Sequence, residues 1–209
     1  MFSFTAILTA ASATLVSAGA LPRRGASSAS ITPRAEYSSS IDVIGCKIDT
    51  NRVAYWPDLV GCDDICIEVF NEGRSLYLLR IGQSGGDYGI SNDAWNYLTH
   101  GESATEGPRE SGGVDMNYEV VSVSKCESLM TDGKLPLSAV NSMNYLTSCL
   151  SQPESWVARN YNLYNINDPA CKSGVDEICH LDIAISNQPV CASGLGIAAV
   201  LNGNIVNKY

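Results

Sequence analysis

Three groups of residues in this sequence have the types and spacing for chemistry. Gly82-Gln83-Ser84-Gly85-Gly86 fits the G-x-S-x-G pattern of a serine nucleophile, and Asp168 and His180 follow it in the chain order of a hydrolase triad. That chemistry needs a strand before the serine and a helix directly after it. Gly85-Gly86-Asp87-Tyr88-Gly89 argues against the helix, because each glycine costs about 1 kcal/mol relative to alanine. The sequence also lacks the βα alternation of such a hydrolase, so a turn is expected around Ser84. The second group is Tyr55-Trp56, next to the acidic loop that carries Asp58, Asp63 and Asp64. Neighbouring side chains on an extended chain face opposite ways, so one of these rings is free to pack in the core and the other to meet a ligand. An exposed ring beside carboxylates suits a sugar, whose C–H face stacks on the ring while its hydroxyls reach the acids. The third group is the cysteines.

The eight cysteines are Cys46, Cys62, Cys66, Cys126, Cys149, Cys171, Cys179 and Cys191. They show no Cys-x-x-Cys repeat, and the two histidines, His100 and His180, stand far from Cys62 and Cys66, so no metal site is expected. The start of the chain suggests disulfides instead. Residues 1–20 lack an acidic side chain, carry an apolar and small stretch over 4–18, and end in Ala18-Gly19-Ala20, as a secretory signal peptide does. Export leads to an oxidising compartment where cysteines pair. Pairing cannot be deduced from spacing, but four cysteines in each half allow each half to close on itself.

Leu21-Pro22-Arg23-Arg24 offers a dibasic processing site, and the Ser- and Ala-rich stretch that follows has few bulky apolar residues to offset its ordering. Residues 21–40 therefore read as a flexible leader or propeptide. Net charge is −9, from 13 basic and 22 acidic residues, which excludes nucleic acid and anionic membrane as natural partners. No later segment is long and apolar enough to insert in a bilayer. The sequence implies a secreted, extracellular monomer without a cofactor.

The elements that would position these groups are mostly strands. Residues 65–70 and 75–81 are rich in β-branched and aliphatic residues and are joined by Asn71-Glu72-Gly73-Arg74, a hairpin signal. Residues 114–120 alternate apolar with polar. Residues 92–100 read as a helix with Ser91 as its cap, Ala94, Trp95 and Leu98 as its apolar stripe, and Gly101 as its left-handed stop. In the second half, 137–150 has helical periodicity, 180–186 alternates like a strand, and 200–205 has a hairpin signal. His100 at the end of its helix and His180 at a strand end fit structural roles.

This order resembles the barwin-like, double-psi β-barrel family of secreted proteins. The resemblance rests on the cysteine-bounded strand Cys66-Ile67-Glu68-Val69-Phe70-Asn71, the turn Gly82-Gln83-Ser84-Gly85-Gly86, the helix entry Tyr88-Gly89-Ile90-Ser91, and Met116-Asn117-Tyr118-Glu119-Val120-Val121 running on to Cys126. It covers residues 41–126. It implies a mainly β fold, a double-psi barrel over 41–126, with 127–209 as a disulfide-tied α+β extension. Enzymes of this family cleave polysaccharide with carboxylates, one of them an Asp in the turn after the second hairpin strand. Gly82 occupies that position here. Asp87 could replace the missing acid with Asp58, Asp63 or Asp64 as its partner, but glycosyl transfer needs an acid held at raised pKa, and an Asp in a glycine-rich turn usually makes local hydrogen bonds. The resulting expectation is a non-catalytic binding protein for cell-wall polysaccharide or a fungal effector meeting a host protein, with Tyr55, Trp56, Asp58 and Asp87 at the ligand. The competing expectation is a glycoside hydrolase or lytic transglycosylase.

Overall fold

A computed structural model describes residues 25–105 and 112–201. The signal-peptide and dibasic readings of 1–24 lie outside these residues. Six strands close into a barrel: β1 (Ser27–Arg34), β2 (Val53–Trp56), β3 (Cys66–Asn71), β4 (Arg74–Gln83), β5 (Tyr88–Ser91) and β6 (Val114–Val120), in the spatial order β1-β5-β2-β4-β3-β6. β1 with β5 and β2 with β4 are parallel pairs; the other four pairs, including β6 with β1, are antiparallel.

β1 corrects the reading of 21–40 as a flexible leader, because barrel structure begins well before residue 41. Apolar content understates a strand that buries one face. Ala29 and Ile31 point inward while Ser28, Ser30 and Thr32 face out, and backbone hydrogen bonds to strands on both sides do the rest. Ile31 is fully buried, and its carbonyl accepts the Trp95 indole N–H at 3.0 Å.

The β3–β4 hairpin turns at Glu72-Gly73, both at positive φ, with Asn71 opposite Arg74, the geometry of a two-residue primed turn. Helix α1 (Asn92–His100) follows β5 directly and packs Ala94, Trp95 and Leu98 into the barrel interior with Ile67, Val69, Leu78, Ile90 and Met116. Gly101 ends it in the left-handed region. Ser91 is the residue before the helix but does not cap it with its side chain: its hydroxyl donates to the Asn51 carbonyl at 2.5 Å. The Asp93 carboxylate instead pairs with Arg52 and accepts the Ala104 N–H.

The second half forms a three-stranded sheet, β7 (Leu135–Ser138), β8 (Tyr161–Ile166) and β9 (Gly174–Cys179), with helices α2 (Met143–Leu150) and α3 (Trp156–Arg159). The helix expected from 137 begins only at 143. Ser138 is the last residue of β7, and its hydroxyl donates to the Ile166 carbonyl across the sheet at 2.6 Å. Residues 180–186 are not a strand: His180 pairs with Val190 alone, and the Asp182 carbonyl accepts the N–H groups of Ile185 and Ser186 in a turn. The hairpin expected over 200–205 falls largely outside the described residues.

One core joins the halves. The outer barrel face, with Val53, Tyr55, Leu79 and Ile81, packs on Leu135, Leu137, Leu146, Val157 and Leu163. All eight cysteines are bonded, as expected, but the halves do not close on themselves. Cys66–Cys126 and Cys179–Cys191 are local, whereas Cys46–Cys171 and Cys62–Cys149 cross between the halves. Burying this outer face requires the second sheet, so the bridges fasten a shared core.

Candidate functional site

α1 and the β3–β4 turn lie at one end of the barrel, where Asn71 and Arg74 both donate to the Leu98 carbonyl. At the opposite end β2 and β4 finish and β5 begins. Inward-facing residues of three strands meet there: Trp56 from β2, Tyr88 from β5 and Tyr118 from β6. Their ring centroids stand 5.2, 5.4 and 5.5 Å apart, with the Trp56 ring nearly perpendicular to both tyrosines. Trp56 is 3% exposed and forms the floor, and its buried indole N–H has no acceptor within the protein. Tyr88 and Tyr118 are half-buried, and their hydroxyls stand 3.5 Å apart. Burial, then the hydrogen bond and proximity of Tyr88, push the Tyr118 phenol up to about 12, and the Asp58 charge adds to the rise.

The loop bearing Asp58 is held from inside the barrel. Buried Arg80 donates to the Asp64 carboxylate at 2.6 Å and to the carbonyls of Asp58 and Leu59 at 2.8 and 2.7 Å. Gln83 ties the neighbouring turn to it through the Pro57 carbonyl at 3.0 Å. This leaves Asp58 exposed near the tyrosines.

The expected site residues are only partly brought together. Tyr55 and Trp56 face opposite ways, as their adjacency requires, yet neither is exposed: Tyr55, at 5%, lies against the outer barrel face, where its hydroxyl accepts the Ser38 N–H at 3.3 Å. Tyr55, expected as a ligand contact, has its ring against Gly82, with the Arg34 guanidinium 5.9 Å from its centroid. Asp87 is exposed, with both oxygens held by the Arg34 guanidinium at 2.8 and 2.7 Å. Asp63 accepts the Trp156 N–H at 2.7 Å, beside the Ser155 cap of α3. Ser84 is followed by strand β5 and donates its hydroxyl to the Asp87 carbonyl, and Asp168 is occupied by the N–H groups of Lys172 and Ser173, so the triad residues have local structural roles.

Gly82 has a structural reason. The strand register shifts between Ala54 and Tyr55, which sets Gly82 beside Tyr55, and a Cβ on Gly82 would lie 2.6 Å from that ring. Gly89 is bare in the same way under the Arg34 side chain. Tyr88 and Tyr118 are the site residues that sequence reasoning missed; the Val114, Met116, Tyr118 face of the alternating strand could have identified the second. Among the described residues there is no cluster of three potential metal ligands, and no helix is long and apolar enough to cross a membrane. Comparison with family models, curated proteins and solved structures finds no match.

Proposed function

We propose that this chain is a secreted, non-catalytic binding protein that holds extracellular polysaccharide at the Trp56–Tyr88–Tyr118 end of a barwin-like double-psi barrel. The reading rests on one observation: two half-buried tyrosines set edge-to-face against a buried tryptophan at the barrel end where β2 and β4 finish, with Asp58 nearby. Tyrosine faces take the C–H surface of a sugar, and the phenols and the Asp58 carboxylate hydrogen-bond its hydroxyls. The two parallel strand pairs within a closed six-stranded barrel support the double-psi assignment, and four disulfides suit an oxidising extracellular setting. Resemblance extends the role to a fungal wall factor or a host-directed effector.

The test is retention on chitin, cellulose and β-glucan, alongside release of reducing ends. Retention without product, weakened at least about tenfold in Tyr88→Ala and Tyr118→Ala, is the expected outcome. Unchanged retention in both variants would remove the site. The competing reading is a polysaccharide-cleaving enzyme of the double-psi barrel type; reducing-end product that disappears in Asp87→Ala would decide for it.

A further inference from the structure

Arg23-Arg24 is the one place in the 209 residues where two basic side chains adjoin. What a cut behind that pair would do is decided by the residues that follow it. Gly25 is exposed, takes φ +100°, and has open space where a side chain would stand. The ladder of β1 starts at Ser27, opposite Tyr118, so residues 25 and 26 lie outside it. Proteases cut exposed chain that is free of sheet hydrogen bonds. The next basic residue is no such target: Arg34 ends β1, in register with Ser91 of β5, and its guanidinium holds Asp87. A cut behind Arg34 would require the barrel to open.

The same stretch ties the Arg24–Gly25 bond to the ring cluster. Ser27 is the ladder partner of Tyr118, and its side chain hydrogen-bonds the Tyr118 phenol. A chain spans at most about 3.6 Å per residue, so Arg24 is tethered within about 11 Å of Ser27 and Arg23 within about 14 Å. Tyr118 stands beside Ser27, the Tyr88 hydroxyl is 3.5 Å from that of Tyr118, and the Asp58 charge acts on Tyr118. All three are within reach of the tethered arginines. Asp58 is an exposed carboxylate on a chain of net charge −9, and the tyrosines offer ring faces. A guanidinium binds the first by charge and the second by stacking.

We propose that Arg24–Gly25 is a processing site for an endoprotease specific for paired basic residues, and that before the cut the Arg23-Arg24 segment covers the Tyr88–Tyr118–Asp58 end of the barrel. Hydrolysis adds water across that amide and leaves a carboxylate on Arg24 and an ammonium on Gly25. Both arginines then depart, while β1 and its two partner strands stay whole. That the displaced ligand is polysaccharide rests on the function proposed above, whereas the cut and the cover do not.

Mass spectrometry of the exported chain reads the cut directly, with Gly25 expected as the first residue. The cover is read by hydroxyl-radical labelling of Tyr88 and Tyr118 in chain exported from a host lacking such a protease, before and after treatment with it. Rings covered about two-thirds of the time should label about threefold faster after the cut, and retention on chitin, cellulose or β-glucan should strengthen by the same factor. Tyr161, half-buried in the second sheet, should not change. A different first residue, equal labelling before and after the cut, or protection that survives Arg23→Gln with Arg24→Gln overturns the proposal. So does protection that grows with protein concentration, since a second copy would then be the cover. Faster labelling without retention would keep the processing site and remove the polysaccharide reading.

Discussion

Arg80 is 4% exposed, yet it carries a full charge, balanced by Asp64 at 2.6 Å and by two backbone carbonyls. Asp64→Ala would strand that charge inside the barrel. Breaking a buried pair from one side costs about 3–5 kcal/mol, and the lower end applies because the Asp64 side chain is 36% exposed and water can reach the vacated place. Loss of the Gly61 N–H bond to Asp64, 2.7 Å long, adds about 1 kcal/mol. Arg80→Met leaves a different state. Its stem fills the same space, and the freed groups, Asp64 and the carbonyls of exposed Asp58 and Leu59, sit near water, so the expected cost is about 1–2 kcal/mol. The double variant then has no buried charge left to strand and should be more stable than Asp64→Ala alone. Urea unfolding with the disulfides intact, followed by tryptophan fluorescence, closes the double-mutant cycle. If the two single costs simply add, the pair is uncoupled and the loop that carries Asp58 is not held by Arg80.

Gly82→Asp should destabilise the fold by about 1–3 kcal/mol, since its Cβ would press on the Tyr55 ring, and should yield no polysaccharide cleavage; thermal unfolding and a reducing-end assay check both. Alkaline stability should fall between pH 10 and about 12. Burial raises the Tyr55 phenol from 10 to about 12, so the unfolded chain loses its proton first; stability is full below pH 10 and falls by about 3 kcal/mol as pH rises to the folded value. Tyr164 contributes in the same direction, and phenolate absorbance tracked against unfolding would expose the error if all tyrosines titrated together near 10. Replacing Cys46 and Cys171 with serine should cost about 4 kcal/mol on chain entropy: Cys62–Cys149 already shortens the loop to 16 residues on one side and 22 on the other, about 38 in all, and a measured loss below about 1 kcal/mol would reject that accounting.

Local signals were legible where one strand or helix decides its own fate. The β3–β4 hairpin, β6 and α1 follow from glycine placement, alternation and the Ala94–Trp95–Leu98 stripe, because each of these buries a single face. β1 was not legible: a strand hydrogen-bonded on both sides needs only Ala29 and Ile31 to fill its inner face, and composition sees the serines between them. Alternation misled at Ile183 and Ile185, where the period matches a strand but the side chains stay exposed. The crossing bridges were hidden for a different reason, since a fold whose barrel exterior is itself core pairs cysteines across 125 and 87 residues.

The site was half legible for the same geometric reason. A barrel has two faces, and around Tyr55 and Trp56 both are buried. Tyr55-Trp56 splits between them, so adjacency predicted the opposite orientations correctly but could not say that neither side faces solvent. The register shift at Ala54/Tyr55 then carries Gly82 to the outer face under Tyr55. An acid at that position would be buried beneath a phenol ring and turned away from Tyr88 and Tyr118. A carboxylate placed at position 82 would therefore stand on the opposite side of the barrel wall from Trp56, Tyr88 and Tyr118, so adding that acid alone would not bring it to the ring cluster.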